Sequence, residues 1–256
     1  MPRTPFLAGN WKMNCTLAES KALVNAVLPE LEAIKGADRV LCPPFTALAT
    51  VAELLAGSSV KAGAQNMHFQ DRGAFTGEIS AAMIKELAEY VIIGHSERRI
   101  HFADKDYQVG LKMAAALKAG LKPILCVGEN ADQKENEWTE SVLAGQVLSA
   151  LRDLHPSADI IVAYEPVWAI GTGAPAQPEE AQNACAFIRE QIAGRLGDEA
   201  AARTRILYGG SVTAKNITDF VGQADVDGAL VGTAALRADE WIALVKAGAE
   251  AAGAKP

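Results

Sequence analysis

The sequence predicts a (β/α)8 barrel, an α/β fold of eight parallel strands and surrounding helices, forming a single domain over residues 1–256. Eight short apolar runs rich in Val, Ile and Leu alternate with helical patterns. Such nearly continuous runs are typical of strands buried on both faces of a parallel sheet. Divided evenly, 256 residues give about 32 for each strand–helix unit. An open doubly wound sheet is the main alternative, but such sheets usually have fewer strands, and no G-x-G-x-x-G motif follows the first run.

The apolar runs set the order and the approximate bounds of the predicted strands. Each run is short, and a helical pattern or a turn separates it from the next. The predicted strands are Phe6–Gly9, Val40–Cys42, Val60–Ala64, Tyr90–Ile93, Pro123–Val127, Ile160–Tyr164, Arg205–Tyr208 and Gly228–Val231.

Several helix boundaries are also visible in the sequence. Thr16 and Glu19 have the spacing of a capping box, which predicts the start of the first helix. Gly120 and Gly197 each follow a helical apolar stripe and are predicted to end those helices. Pro178 is predicted to lie in the first turn of a helix, where its missing N–H costs nothing.

Composition and charge exclude several classes of function. The chain has 24 Lys and Arg against 31 Asp and Glu, a net charge of −7, whereas a nucleic-acid binder needs a basic surface. The longest uncharged stretches have 13 residues, short of the roughly 18 that span a bilayer. No long apolar stretch of the kind found in a signal peptide follows Arg3, and the four cysteines form no C-x-x-C pair. We therefore expect reduced thiols, no membrane or nucleic-acid partner, and a cytoplasmic location.

No metal-binding pattern is present in the sequence. The four histidines are scattered, and no H-E-x-x-H motif occurs. Asp225–Gly228 faintly resembles the start of a calcium loop, but Ala234 stands at the twelfth position, where such a loop needs a glutamate. We therefore expect no metal site.

Polar side chains follow three of the predicted strands. Asn10 and Lys12 follow the first strand, and His95 follows the fourth. Glu165 follows the sixth strand. In a parallel barrel these strand ends meet at one rim, where the active site lies. A carboxylate, an imidazole and a cation can remove a proton next to a carbonyl and stabilise the charge that moves onto oxygen.

Taken singly, each of these four residues has an ordinary structural alternative. Glu165 could cap a helix or pair with an arginine, and His95 could be a structural histidine. Lys12 could be an exposed surface lysine, and Asn10 could belong to a turn. Their joint placement at strand ends is what favours an active site.

Small residues follow the seventh and eighth predicted strands, the usual phosphate site of this fold. Gly209-Gly210-Ser211 precedes a predicted helix over Lys215–Val221, and Gly232-Thr233 follows the last strand. Small residues let backbone N–H groups approach an anion, with the helix dipole adding to the attraction. Ordinary tight turns are the alternative. No G-x-x-x-x-G-K-[ST] motif is present, so a nucleotide P-loop is not predicted.

The stretch Pro166–Ala176, called the apolar loop below, carries no charge and follows the sixth predicted strand. A buried loop leaves backbone groups unsatisfied, and an exposed loop this apolar is unusual. A loop that is exposed without ligand and closes over a bound ligand as a lid would explain why it is apolar and yet not permanently buried. A packed structural loop is the alternative.

Five stretches of the chain, in the same order and spread over almost its whole length, resemble the triosephosphate isomerase family. They are Ala8–Asn14, Gly73–Glu78, Gly94–Arg99, Ala163–Gly173 and Tyr208–Val212. The resemblance implies a (β/α)8 barrel that interconverts dihydroxyacetone phosphate and D-glyceraldehyde 3-phosphate through an enediol(ate). This reaction belongs to glycolysis and gluconeogenesis.

The resemblance also implies roles for the residues at the strand ends. Glu165 would move the proton between the two carbons, and His95 would be a neutral electrophile. Lys12 would supply positive charge to the phosphate and the developing oxyanion, and Asn10 would help to orient them. The groups expected to hold the phosphate, chiefly through backbone N–H, are Gly171, Ser211, Gly232 and Thr233.

Further implications concern the surroundings of the site. Ser96 and Glu97 would begin a helix whose N–H groups disfavour the imidazolium form of His95, and Glu97 would pair with Lys12 or support the site from behind. No cofactor is needed. In the family, the stretch that corresponds to Gly73–Glu78 reaches the neighbouring subunit's site, which implies a homodimer.

Two positions depart from the family pattern. Ala174-Pro175-Ala176 stands where the family usually has Lys, then Thr or Val, then Ala, and a proline fixes φ at the lid's second hinge. Strand 8 is followed by Gly232-Thr233, where the family usually has two glycines, so a Cβ is expected near the phosphate. The first change bears on loop motion, and the second on phosphate affinity.

Two other functions compete with this interpretation. A phosphate-binding barrel lyase often uses a Schiff-base lysine on strand 6, but strand 6 carries Glu165 and no lysine. A non-catalytic scaffold predicts decay of the catalytic set, but Asn10, Lys12 and His95 are present together with that glutamate.

Overall fold

A computed structural model describes residues 3–171 and 175–253 of the chain. Eight parallel strands form a closed barrel in sequence order, which confirms the predicted fold class. The strands are β1 Phe6–Asn10, β2 Asp38–Cys42, β3 Lys61–Ala64, β4 Tyr90–Ile93, β5 Lys122–Val127, β6 Ile161–Tyr164, β7 Arg205–Tyr208 and β8 Gly228–Val231.

Helices connect the strands around the outside of the barrel. They are α1 Leu17–Ala33, α2 Phe45–Leu54, α3 Ala81–Lys85, α4 Ser96–His101, α5 Asp106–Lys118, α6 Ala131–Glu135, α7 Thr139–Leu151, α8 Pro178–Leu196, α9 Asp198–Arg203, α10 Ile217–Val221 and α11 Ala238–Gly253. Two 3-10 turns, Val167–Ala169 and Thr233–Leu236, follow β6 and β8.

The predicted helix signals appear as capping contacts. The Glu19 carboxylate accepts the Thr16 N–H at 2.7 Å, which completes the capping box of α1. Gly120 has a positive φ just after α5, and Gly197 is the C-cap of α8. Pro178 opens α8, as predicted.

The barrel closes between β1 and β8. Phe6 pairs with Gly228, whose φ is +153°. A Cβ at Gly228 would lie 1.9 Å from the Phe6 carbonyl oxygen. Only glycine permits this close approach, so the first and last strands meet at a position that requires it.

Apolar side chains fill both layers of the fold. The barrel interior is packed by alternate strand residues and is not an open channel. Its cluster consists of Phe6, Ala8, Val40, Cys42, Tyr90, Ile92, Ile124, Cys126, Ile161, Ala163, Leu207 and Leu230. A second, larger cluster lies between the strands and the helices. The packed interior leaves the rim at the carboxyl ends as the place for a site.

Some boundaries differ from the sequence predictions. β3 begins at Lys61 and β6 at Ile161, each one residue later than expected. The helix after β7 begins at Ile217, two residues later than predicted. The reason is local, since the Asn216 side chain accepts the Thr213 N–H at 2.8 Å and holds a turn before the helix. Among the residues described, no helix combines the length and apolar character needed to cross a bilayer.

Candidate active site

A cavity of about 330 Å³ opens at the carboxyl ends of the strands. It brings together residues from the ends of β1, β4, β6, β7 and β8. Its lining includes all four of the predicted strand-end residues and all four of the predicted phosphate-binding residues, which are Asn10, Lys12, His95, Glu165, Gly171, Ser211, Gly232 and Thr233.

Glu165 is the most buried acid of this cavity, with 2% of its surface exposed. It comes directly after β6, and its N–H donates to the Val127 carbonyl at 2.7 Å. One carboxylate oxygen, Oε2, accepts the Ser96 N–H at 2.8 Å, and Oε1 lies 2.9 Å from His95 Nε2. The carboxylate is therefore held by the first turn of α4 and by the imidazole.

His95 is the N-cap of α4, and its Nδ1 accepts the Glu97 N–H at 3.2 Å. A ring nitrogen that accepts a hydrogen bond carries no proton, so the proton of the neutral ring is on Nε2. The Nε2–H then points at Glu165. In the neutral ring, this pattern favours the Nε2–H tautomer.

The two buried side chains shift each other's pKa in opposite directions. For Glu165, burial acts against the charged form, but the His95 side chain and the Ser96 N–H outweigh it, and the pKa lies below its usual range. For His95, burial likewise acts against charge, but the neighbouring carboxylate raises its pKa. Each shift depends on the contact, so both weaken if Glu165 moves away.

Lys12 brings a positive charge to the same cavity. Its φ is +53°, uncommon for a residue with a side chain, and its N–H donates to Asn10 Oδ1 at 3.0 Å. The ammonium lies 2.7 Å from Glu97 Oε1. A Cβ at Gly232 would lie 3.3 Å from Lys12 Cε, so glycine keeps this space free for the lysine.

The predicted phosphate-binding residues line the cavity from three places: Gly171 in the apolar loop after β6, Ser211 after β7, and Gly232 and Thr233 after β8. Ser211 Oγ donates to the Ala169 carbonyl at 2.9 Å, which joins the β7 end to the apolar loop. A Cβ at Gly210 would lie 2.3 Å from the Tyr208 hydroxyl. Thr233 opens the 3-10 turn after β8, which places its Cβ at the cavity wall.

Hydrogen bonds hold both ends of the apolar loop. Near its start, Trp168 Nε1 donates to Glu129 Oε1 at 2.7 Å. At its end, the Ala176 N–H donates to the Tyr208 hydroxyl at 3.0 Å. Residues 172–174 lie outside the described part of the chain, and so does part of the departure from the family pattern at the second hinge. Pro175 is described, and it lines the cavity.

The sequence did not single out several residues of this region. Glu129 is fully buried, and its Oε1 also accepts the Tyr164 hydroxyl at 3.0 Å. Its position directly after β5, at the strand end where active-site residues lie, could have marked it as a candidate site residue. Asn216, Arg237 and Glu240 also line the cavity, but nothing in their spacing marks them. Within the described residues, no group of three or more His, Cys, Asp or Glu could hold a metal ion.

The Gly73–Glu78 stretch is exposed at all six positions. The Phe75 ring, 44% exposed, lies 4.3 Å from the ring of His68, which also stacks on Phe69 at 4.4 Å. These ring contacts join the exposed stretch to His68.

A parallel (β/α)8 barrel with a buried carboxylate, an imidazole and an ammonium at its rim belongs to the class of barrel enzymes that transfer protons next to a carbonyl. Sequence comparison identifies the family within this class. The triosephosphate isomerase family model matches residues 5–248.

Curated relatives agree with this match along nearly their whole length. A triosephosphate isomerase of Dehalococcoides mccartyi is 50% identical over 244 residues, covering 95% of this chain and 96% of the relative. The triosephosphate isomerase of Carboxydothermus hydrogenoformans is 47% identical over 247 residues, covering 95% and 98%. That of Chloroflexus aurantiacus is 46% identical over 246 residues, with the same coverage.

The chain therefore belongs to the triosephosphate isomerase family. It is an isomerase that interconverts dihydroxyacetone phosphate and D-glyceraldehyde 3-phosphate, a step of glycolysis. Its substrate is a triose phosphate, as the resemblance implied.

The contact between Glu165 and His95 predicts a measurable change in ionisation. Glu165→Gln removes the carboxylate that raises the pKa of His95, so that pKa should fall in the variant. NMR titration of the imidazole measures it directly. A His95 pKa that is unchanged or higher in the variant would contradict this assignment.

Proposed function

We propose that Glu165 is the base of this isomerase, that His95 and Lys12 stabilise the enediolate oxygen, and that Asn10 positions Lys12. The observation that supports this assignment most strongly is the convergence of three groups in one cavity. The Glu165 carboxylate contacts His95 Nε2 at 2.9 Å, and the Lys12 ammonium lines the same space. No fourth titratable group is required.

The proposed reaction moves one proton and one electron pair at a time. The Glu165 carboxylate takes a proton from the carbon next to the carbonyl, and the C–H electron pair forms the enediolate while charge moves onto the carbonyl oxygen. His95 Nε2–H donates a hydrogen bond to that oxygen, and the Lys12 ammonium offsets its charge. The hydroxyl proton of the first carbon then passes to the former carbonyl oxygen, with His95 Nε2 as the group that gives and takes it, so that the negative charge lies on the other oxygen. The carboxyl proton of Glu165 goes to the neighbouring carbon while that other oxygen becomes the new carbonyl, which leaves Glu165 ionised for the next cycle.

The observed contacts favour a base that is inactive until it moves. Its hydrogen bonds to Ser96 and His95 hold Glu165 ionised but make it a weak base, since they lower its pKa. Transfer of the carboxylate to the substrate breaks these contacts, and burial alone then raises the basicity. The same movement removes the influence that raises the pKa of His95, so the imidazole stays neutral and can donate from Nε2.

We propose that Gly171, Ser211, Gly232 and Thr233 bind the phosphate. They line the same cavity as Glu165, and small residues leave backbone N–H groups accessible to an anion. Phosphate binding, which is remote from the reacting carbons, would drive closure of the apolar loop and remove water around Glu165. Exclusion of water also keeps the enediolate from expelling phosphate.

The assembly and the location are further parts of the proposal. The exposed Gly73–Glu78 stretch supports a homodimer in which Thr76 approaches the neighbouring subunit's site. Met13, next to Lys12 in the chain, is 95% exposed, as expected for an apolar residue that a partner covers. We also propose that residues 1–256 form one barrel domain, that no cofactor takes part, and that the enzyme is cytoplasmic.

Replacement of the base tests the mechanism. Glu165→Gln keeps the size of the side chain but removes its basicity, and kcat should fall by on the order of 10²–10⁴-fold, the contribution of a positioned base. Turnover of glyceraldehyde 3-phosphate measures it. Glu89→Gln, at the opposite end of the barrel, should keep wild-type turnover. A Glu165→Gln rate close to the wild-type rate would show that another group is the base.

Sedimentation tests the proposed dimer. The wild-type protein should sediment at about 54 kDa, twice the 27.0 kDa of the chain. Thr76→Arg would bury a charge in the interface and should shift the protein toward the monomer with loss of kcat. Ser157→Arg, an exposed change in the connection before β6, should leave the dimer intact. A monomeric wild-type protein with full turnover would refute the dimer.

A further inference from the structure

Arg237 lines the active-site cavity but has no part in the proposed proton transfer. Of the described residues that line this cavity, Lys12 and Arg237 are the lysine and the arginine, and Glu165 and Glu240 are the acids. The Lys12 ammonium lies 2.7 Å from a carboxylate oxygen of Glu97, which offsets its charge. Arg237 is therefore a second source of positive charge for an anion that enters the cavity.

The backbone that carries Arg237 is held in place on both sides. Arg237 follows the 3-10 turn Thr233–Leu236, and in that turn the Ala235 N–H donates to the Gly232 carbonyl at 2.9 Å. The Arg237 carbonyl accepts the N–H of Trp241, a fully buried residue of α11, at 2.9 Å. The same short connection thus carries the proposed phosphate-binding residues after β8 and, a few residues later, the guanidinium.

The Arg237 guanidinium has a partner that an anion can replace. It forms an ion pair with the Glu240 carboxylate, one turn further along the chain. The two side chains are 54% and 42% exposed, and ion pairs at such exposure are weak because water and salt screen them. An anion in the cavity can therefore compete with Glu240 for this charge.

The substrate benefits from such a charge because the protein as a whole repels it. The chain has a net charge of −7, and a phosphate monoester carries nearly two negative charges at neutral pH. Positive charge in a cavity raises the local concentration of an anionic substrate and its association rate. An arginine that lines the cavity of an acidic protein is placed to supply this attraction.

We propose that Arg237 is a substrate-binding residue of this isomerase: its guanidinium attracts the substrate's phosphate into the cavity, and the Glu240 carboxylate competes with the phosphate for that charge. The inference rests on the proposed phosphate site at Gly232 and Thr233. Because this attraction acts equally on the bound substrate and on the transition state, it lowers KM and leaves kcat unchanged.

Arg237→Gln tests the attraction directly. At low ionic strength, KM for glyceraldehyde 3-phosphate and the inhibition constant of inorganic phosphate should each rise by about fivefold to tenfold, with kcat unchanged. In about 1 M potassium chloride, where the Debye length is about 3 Å, the loss should shrink to less than about twofold. Arg237→Lys, which keeps the charge, should restore both constants. A loss that salt does not reduce would show a merely structural role.

Removal of the competing carboxylate should have the opposite effect. Glu240→Gln frees the guanidinium and takes one negative charge out of the cavity, so the inhibition constant of inorganic phosphate should fall by about twofold to fivefold. An inhibition constant that stays the same or rises in Glu240→Gln would contradict the proposed competition.

Arg203→Gln is the matched control for the change in net charge. Arg203 is also exposed, but it ends α9, just before β7, and so lies at the opposite end of the barrel from the cavity. KM and the inhibition constant of inorganic phosphate should stay within about twofold of wild type in this variant. An equal loss in Arg203→Gln and Arg237→Gln would show that net charge, and not the position of Arg237, sets the affinity.

The backbone amide signals of Gly232 and Thr233 separate this inference from the phosphate site on which it rests. Inorganic phosphate should shift both signals in the NMR spectrum of the wild-type enzyme. If it does so while Arg237→Gln keeps the wild-type KM and inhibition constant, the role of Arg237 is wrong and the phosphate site stands. If inorganic phosphate leaves both signals unchanged, the proposed phosphate site is wrong, and the inference falls with it.

Discussion

The rest of the site depends on where one buried carboxylate is held. Glu165 is almost inaccessible to water, and in the observed arrangement the Ser96 N–H and His95 Nε2 satisfy its charge. A buried carboxylate without such partners would become protonated. These contacts keep the base ionised, and they are also the contacts that must break for it to act. The hydrogen bonds that keep Glu165 ionised therefore set the free energy needed to move its carboxylate onto the substrate.

The barrel makes this geometry possible by bringing strand ends very close together. A Cβ at Gly128, at the end of β5, would lie 1.7 Å from the Glu165 carbonyl oxygen, and one at Gly209 would lie 3.0 Å from its Cγ. Glycines on both neighbouring strands thus leave room for Glu165 and its side chain. On the β4 side, the first turn of α4 supplies the N–H groups that orient both the carboxylate and His95.

The sequence predicted the features that depend on local pattern. Strands that are buried on both faces appear in the sequence as eight apolar runs, and the rule that active sites lie at the strand ends predicted His95 and Glu165 at one rim. Contacts between residues that are far apart in the sequence, which form only when the barrel is complete, leave no local sequence pattern. Trp168 reaches Glu129 across 39 residues, and Lys134 reaches Glu180 across 46. Strand bounds shifted by one or two residues, because they depend on pairing with neighbouring strands, which no single run encodes.

A crystal structure with a phosphorylated hydroxamate that mimics the enediolate tests the central claim most directly. We expect the hydrogen bond of 2.8 Å between the Glu165 carboxylate and the Ser96 N–H to be broken in the complex. The carboxylate should then lie against the mimic's reacting atoms, with His95 Nε2 on its oxygen. A complex in which the mimic fills the cavity while Glu165 keeps its contacts with both Ser96 and His95 would contradict the role of Glu165 as a base that moves onto the substrate.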